Sequence, residues 1–204
     1  MTTPLARAAA ALIALIALAA VFGQYAILTA NPEFPDALSR IWHLMKFFTI
    51  LTNLLVGIVM ALIALNRHPG NGVLAGFVVS IVMVGAIYHA LLAPPTPLPG
   101  WDYWTDIGYH TLVPIGSALW WLIWGGKALH IRQVPFWLLW PLGYCLFALL
   151  RDLAEGNYPY FFLDVGRFGA LRIALNIVGL VAVFALAGLV IVLLARLLRR
   201  GVKA

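Results

Sequence analysis

The stretch KFFTILTNLLVGIVMALIAL, residues 46–65, contains a single charged side chain, that of Lys46. A helix of about 20 predominantly apolar residues crosses the hydrocarbon core of a bilayer, which is roughly 30 Å thick. Near one end, however, the stretch also contains Thr49, Thr52 and Asn53. Polar groups are costly in lipid. The stretch therefore predicts a transmembrane helix whose polar end faces the protein interior or a site.

The composition of the whole chain predicts an integral membrane protein. Of its 204 residues, 64% are hydrophobic and 10% are charged, whereas soluble domains have about 25% charged residues. The net charge of +6 does not indicate nucleic-acid binding, because the basic residues cluster at the ends of apolar segments, where membrane topology accounts for them. The lone Cys145 lies in an apolar run and cannot form an internal disulfide.

Six apolar stretches have the length of a membrane span, and they lie at 7–29, 41–65, 73–93, 104–126, 135–153 and 168–198. We therefore predict an all-α, polytopic membrane protein, with one six-helix transmembrane bundle over residues 1–204 and an internal polar site in its outer half. The first stretch resembles a secretory signal peptide. Because it is long and no small-x-small site closes it before Gln24, we expect it to be retained, and cleavage is the alternative.

The basic residues predict the orientation, since cytoplasmic loops carry an excess of Lys and Arg. Eight of the thirteen lie in the N-terminal tail, the second loop, the fourth loop and the C-terminal tail: Arg7, Arg67, Lys127, Arg132, Arg196, Arg199, Arg200 and Lys203. Both termini are therefore expected to be cytoplasmic. All seven acidic residues lie in or beside the other three loops: Glu33, Asp36, Asp102, Asp106, Asp152, Glu155 and Asp164.

The face of the membrane opposite the two termini is therefore the outer face. Ionisable side chains also lie near the predicted helix ends at this outer face. They are Arg40, Lys46, Arg151, Arg167, Arg172, His43, His89 and His110. Ionisable groups inside spanning helices usually face a cavity or a partner and mark functional sites. A straight helix over 41–65 would place four polar side chains within an arc of about 120°, those of His43, Lys46, Thr49 and Asn53.

The fourth apolar stretch carries a second row of polar residues. Asp102, Asp106 and His110 follow i, i+4, i+8 spacing and share one helix face. At about 1.5 Å per residue, Thr49 and His110 each lie roughly 12 Å below the outer ends of their helices. Pro114 lacks an N–H, so we expect a kink that opens space around His110. A hydroxyl and an imidazole at matched depth predict a threonine nucleophile with a histidine base.

Structural roles are the alternatives for these residues. A threonine in a membrane helix often bonds the carbonyl four residues before it, and a lone histidine often serves only as a hydrogen-bonding residue. Lys46 and Arg40 have side chains long enough to reach the headgroups.

Three motifs then point to a family. KFFT (46–49), WTDIGYHTLVP (104–114) and YPYFFLDVGRFG (158–169) occur in this order in the androgen-induced membrane hydrolases, and the chain resembles the bacterial six-span branch of that family over nearly its whole length. The resemblance implies a multi-pass threonine hydrolase of fatty acid esters of hydroxy fatty acids or similar lipids, in a bacterial inner membrane. It implies Thr49 as nucleophile and His110 as base, with no cofactor and no metal.

The remaining candidate residues have supporting roles in this prediction. Asn53, His89 and Asp106 are the candidates for stabilising the oxyanion or orienting the base, and Lys46, Arg151 and Arg172 are those for binding a substrate carboxylate. The expected partners are a lipid ester or fatty acid and membrane lipids, with no nucleic acid. Three other classes stay open: a haem or quinone protein, a small-solute transporter and a non-enzymatic lipid-binding protein.

Overall fold

The computed structural model describes residues 3–201, which are helical with no β-strand among them. The chain divides into two compact units, residues 1–128 and residues 129–204. The candidate residues of the first two motifs all lie in the first unit.

The first unit is built from six α-helices and two π-helical segments. The helices are α1 (Pro4–Leu28), α2 (Ala37–Leu44), α3 (Phe48–Ala64), α4 (Asn71–Ile87), α5 (Gly100–Ile107) and α6 (Val113–Trp124). The π-helical segment Tyr88–Leu92 continues α4, and the π-helical segment Gly108–Leu112 joins α5 to α6. Helix α1 packs on α3, α5 and α6, while α4 packs on α3 and α6, so the core of the unit lies between these helices.

The second unit is a pair of long helices with short helices at its turns. It contains α7 (Val134–Trp137), α8 (Leu139–Glu155), α9 (Val165–Phe168) and α10 (Ala170–Gly201), with 3₁₀ turns at Ile131–Gln133 and Phe161–Leu163. Helix α10 contacts α7, α8 and α9. The side chain of Asn176 on α10 donates a hydrogen bond of 2.9 Å to the carbonyl of Phe162, which fixes the start of α10 against the second turn.

Four helical segments of the described chain are long and apolar enough to cross a membrane, namely Pro4–Leu28, Asn71–Leu92, Ile131–Glu155 and Ala170–Arg199. The pair formed by α2 and α3 makes a fifth if it is counted as one span. These segments confirm the prediction of a helical protein with several membrane-spanning stretches. The predicted span over 104–126 is also helical, but it is not among these long apolar segments. Its first half contains Asp106, His110 and other polar residues.

The prediction of one straight helix over 41–65 is wrong. Helices α2 and α3 meet at 96°, because Phe47 has an extended backbone that begins α3 anew. The break buries Leu44 in a cluster with Ala20, Leu28, Ile50 and Tyr109. Burial of apolar surface stabilises the bent path. The shared arc of His43 with Thr49, and the 12 Å depth of Thr49, therefore do not hold.

Helix α2 begins at a capping box. The carboxylate of Asp36 accepts the N–H of Ser39 at 2.8 Å, and the Ser39 hydroxyl accepts the N–H of Asp36 at 3.3 Å. The hydrogen bond from the Ser39 backbone lowers the pKa of the Asp36 carboxyl. This pairing satisfies two backbone donors that a helix start otherwise leaves open.

Small residues let α1 approach the helices that carry the site. A Cβ at Gly108 would lie 3.0 Å from the Cβ of Ala20, and one at Gly23 would lie 2.9 Å from the methyl group of Thr105. The Tyr109 hydroxyl donates to the carbonyl of Ala20 at 2.6 Å. The π-helical segment Gly108–Leu112 is therefore held closely against α1.

Candidate active site in the first unit

The candidate site is centred on two π-helical segments that face each other. Each is closed by a backbone hydrogen bond between residues five apart in sequence. Ala93 N–H donates to the Tyr88 carbonyl, and Val113 N–H donates to the Gly108 carbonyl. Such π turns are rare and frequently occur at functional sites. Pro114 follows the second one, and it has no N–H to offer the carbonyl of His110. The backbone before Pro114 forms a π turn, while the predicted kink with open space around His110 stays a prediction.

The imidazole of His110 is held from two sides. Its Nδ1 lies 3.0 Å from Oδ1 of Asp106, and the ring of Tyr88 stacks on it with centroids 3.6 Å apart and planes 4° from parallel. The hydroxyl of Tyr88 donates to Oδ2 of Asp106 at 2.8 Å. With Nδ1–H donated to a carboxylate, Nε2 is the nitrogen left to accept a proton. The prediction that Asp106 orients His110 therefore has a direct geometric basis.

Asn53 connects helix α3 to the π-helical segment that carries His110. Its Nδ2 donates to the carbonyl of Thr49 at 2.9 Å and lies 3.4 Å from the carbonyl of Tyr109. Because one nitrogen contacts both oxygens, at 2.9 Å and 3.4 Å, the backbone carbonyls of Thr49 and Tyr109 lie close to each other. The side chain of Asn53 is completely buried. The structure thus brings the neighbourhood of Thr49 to the neighbourhood of His110.

Thr49 is the second residue of α3 and is half-buried. The first N–H groups of a helix have no intrahelical acceptor, and no side chain caps this one. The positive end of the helix dipole also lies there. Met45, four residues before Thr49, lies outside α3 beyond the 96° bend. The carbonyl that the structural alternative assigns to the Thr49 hydroxyl, that of Met45, therefore does not belong to α3.

The hydrogen bonds of Asn53 use the donor side of its amide. Its NH₂ group points to two carbonyls, while its Oδ1 is buried with no hydrogen-bond partner among the described residues. An oxyanion needs hydrogen-bond donors. The Asn53 atom that still lacks a hydrogen-bond partner is Oδ1, which is an acceptor. In this conformation the Asn53 amide holds two backbone carbonyls, and its role toward an oxyanion stays a prediction.

The other candidates lie on other segments of the chain. His89 is exposed on the first π-helical segment, and its Nε2 lies 3.1 Å from the Thr111 hydroxyl. Lys46 is 5% exposed and lies in the break before α3. Arg151 and Arg172 belong to the second unit, where Arg151 pairs with Glu155 at 3.0 Å and Arg172 is exposed.

Three residues of the site were not anticipated from the sequence, and they are Tyr88, Tyr109 and Thr111. A signal for two of them exists. The dipeptide Tyr-His occurs at 88–89 and again at 109–110, each time followed by leucine within three positions and then by proline. Both occurrences fall in the π-helical segments. The repeat of an aromatic residue beside a histidine, ahead of a helix-distorting proline, marks the two facing turns.

Among the described residues, no group of three or more His, Cys, Asp or Glu side chains is arranged to hold a metal ion. No family model matches the chain, and no curated protein and no solved structure is similar to it.

Proposed function

We propose that the protein is an intramembrane threonine hydrolase that cleaves long-chain fatty acyl esters, such as fatty acid esters of hydroxy fatty acids. The observation that carries the proposal is the imidazole of His110, fixed by Asp106 at 3.0 Å and joined through Asn53 to the helix turn that bears Thr49. A carboxylate, an oriented imidazole and a hydroxyl are the parts of an activated nucleophile.

The reaction has two steps. Nε2 of His110 takes the proton of the Thr49 hydroxyl while the oxygen attacks the ester carbonyl, and the tetrahedral intermediate collapses as His110 protonates the leaving alcohol. Water then attacks the acyl-threonine, again with His110 as base, and releases the fatty acid and the original hydroxyl. Asp106 keeps Nδ1 protonated and stabilises the imidazolium that forms in each step.

The start of α3 supplies the oxyanion donors in this mechanism. The N–H groups of Thr49 and Ile50 are in the first turn of the helix, where no intrahelical carbonyl accepts them. Backbone donors next to the nucleophile are the usual construction of an oxyanion hole, and each is worth roughly 3–4 kcal/mol in the transition state. In this mechanism they replace the predicted oxyanion roles of Asn53 and His89.

In this proposal the protein crosses the bacterial inner membrane six times. Both termini are cytoplasmic, and the site lies in the outer half of the membrane. A lipid ester reaches such a site from the acyl-chain region without leaving the bilayer. Lys46, buried in the break between α2 and α3, is the candidate to bind the free carboxylate of the ester. Arg151 and Arg172 stay predictions for the same contact.

The test compares four variants of the purified protein in lipid nanodiscs, with a long-chain ester as substrate. Thr49→Val removes the hydroxyl at constant shape, and His110→Gln removes the base. Hydrolysis is expected to fall by about 10²–10⁴-fold in both, the usual contribution of general base catalysis. Thr49→Ser keeps a hydroxyl and is expected to retain measurable turnover. Thr52→Val removes the next hydroxyl on the same helix and is the matched control.

Covalent capture gives a second readout. A long-chain fluorophosphonate should label wild type on the peptide containing Thr49, and the label should be absent from Thr49→Val. Wild-type turnover by both Thr49→Val and His110→Gln would end the proposal. A protein that binds the ester and returns it unchanged would instead support the non-enzymatic lipid-binding class.

A further inference from the structure

We propose that Tyr88 is a positioning residue that fixes the tautomer and the plane of the His110 imidazole. The inference rests on the proposed function for its catalytic meaning, but the geometry it explains is independent of any substrate. Tyr88 begins the π-helical segment that continues α4, whereas Asp106 lies on α5 and His110 lies in the π-helical segment that follows α5. The arrangement is therefore a tertiary contact that closes the site from the opposite side.

Tyr88 makes two contacts with the pair at once. Its hydroxyl donates to Oδ2 of Asp106 at 2.8 Å, and its ring lies flat on the imidazole, with centroids 3.6 Å apart at 4°. The side chain of Tyr88 is 8% exposed, so packing restricts its own rotation. The hydrogen bond restricts rotation of the Asp106 carboxylate. The stacking restricts rotation of the His110 ring out of its plane.

The chemistry of the carboxylate explains why both contacts matter. Asp106 uses Oδ1 for His110 and Oδ2 for Tyr88, so each oxygen has a donor. An ionised carboxylate accepts hydrogen bonds and donates none, so Nδ1 of His110 must carry the proton. Without the Tyr88 hydroxyl, Oδ2 would lose its partner in a site where an unpaired acceptor is costly. The carboxylate would then be free to turn, and Nδ1–H would lose its fixed partner.

The neighbouring tyrosine offers a matched comparison. Tyr109 is also buried, and its hydroxyl donates to the carbonyl of Ala20 at 2.6 Å. Its ring is 6.0 Å from that of His110 at 68°, and its hydroxyl does not contact Asp106. A tyrosine that serves only to fill space and satisfy its own hydroxyl would resemble Tyr109, whereas Tyr88 touches both members of the pair.

The experiment measures the tautomer directly. Protein labelled with ¹⁵N-histidine in nanodiscs is studied by solid-state NMR at a pH where the ring is neutral, and the His110 signals are assigned by their loss in His110→Gln. Wild type is expected to show Nδ1 protonated and Nε2 unprotonated. Tyr88→Phe should shift the population toward the Nε2–H form by a measurable fraction, and Asp106→Asn should do so further. Tyr109→Phe should leave the signals as in wild type.

Kinetics then test the catalytic meaning. In Tyr88→Phe, kcat for a long-chain ester is expected to fall about tenfold with KM unchanged, because the base is misaligned while the substrate contacts remain. A wild-type tautomer in Tyr88→Phe would overturn the inference. The expected tautomer shift in a protein without esterase activity would overturn the proposed function and leave the positioning role of Tyr88 intact.

Discussion

Gly85 on α4 lies where the helix approaches the π-helical segment of His110, and its replacement by alanine tests how tightly the site is built. An added Cβ would lie 2.8 Å from the carbonyl oxygen of His110 and 3.0 Å from the Cβ of Pro114. Non-bonded atoms pack at roughly 3.5–4.0 Å, so α4 and the segment of His110 must separate by about 0.5–1 Å. A backbone carbonyl and a proline ring cannot rotate out of the way.

Two energies oppose each other in Gly85→Ala. Alanine stabilises a helix by about 1 kcal/mol relative to glycine, while overpacking a close contact costs about 1–3 kcal/mol. We expect a net loss of up to about 2 kcal/mol of unfolding free energy. Hydrolysis is the more sensitive readout, since a misplacement of about 1 Å costs up to roughly 10²-fold in rate. The ester hydrolysis rate is expected to fall 10–100-fold by that relation.

The assay pairs thermal unfolding in nanodiscs with ester hydrolysis. Gly143→Ala is the matched control, because Gly143 lies in helix α8 and an added Cβ there meets no atom within 4 Å. That variant should be as stable as wild type or more so. If Gly85→Ala unfolds at the same temperature as Gly143→Ala and hydrolyses ester at the wild-type rate, the close approach of α4 to His110 is not a feature of the protein.

Three further predictions concern hydrogen bonds that hold the first unit. Asn53→Leu removes the donor shared by two carbonyls and should lower the unfolding free energy by about 1–3 kcal/mol, as measured by thermal unfolding. Trp120→Phe removes a buried bond of 2.8 Å to the carbonyl of Ala6 and should cost about 1–2 kcal/mol in the same assay; an unchanged melting temperature would contradict it. Because the folded pKa of Asp36 is lowered, its stabilisation of α2 is present above the unfolded pKa of about 3.9 and is lost as the pH falls through the folded value. The protection factor of the Ser39 amide against hydrogen exchange should therefore fall below about pH 4, and in Asp36→Ala it should already be low at neutral pH.

Much of the site was predictable from local pattern. The i, i+4 spacing of Asp106 and His110 on one helix led to a contact of 3.0 Å, because that spacing fixes which side chains face each other. Pro114 predicted a distortion before it, since a missing N–H is a local property. The partner from α4, Tyr88, was not predictable from spacing, because it meets His110 through packing between two helices.

The position of Thr49 shows the limit of reasoning by helix periodicity. Residues 41–65 contain no proline or glycine near the break, so a single helix was the natural prediction. The chain bends by 96° instead, because Leu44 and Ile50 are both buried in one cluster with Tyr109. That cluster combines residues distant in sequence. The helix propensity of residues 41–65 alone therefore cannot predict the bend.

The sequence by itself determined that the chain is helical, rich in membrane-spanning segments and polar near one end of them, because composition and apolar length decide what lipid accepts. It also determined the Asp106–His110 pair, which a single helix turn sets. Only the tertiary structure decided that α2 and α3 are separate, that two π turns face each other, and that Tyr88 lies on His110. Those features depend on burial and close packing between distant segments, and such contacts exist only after the helices have come together.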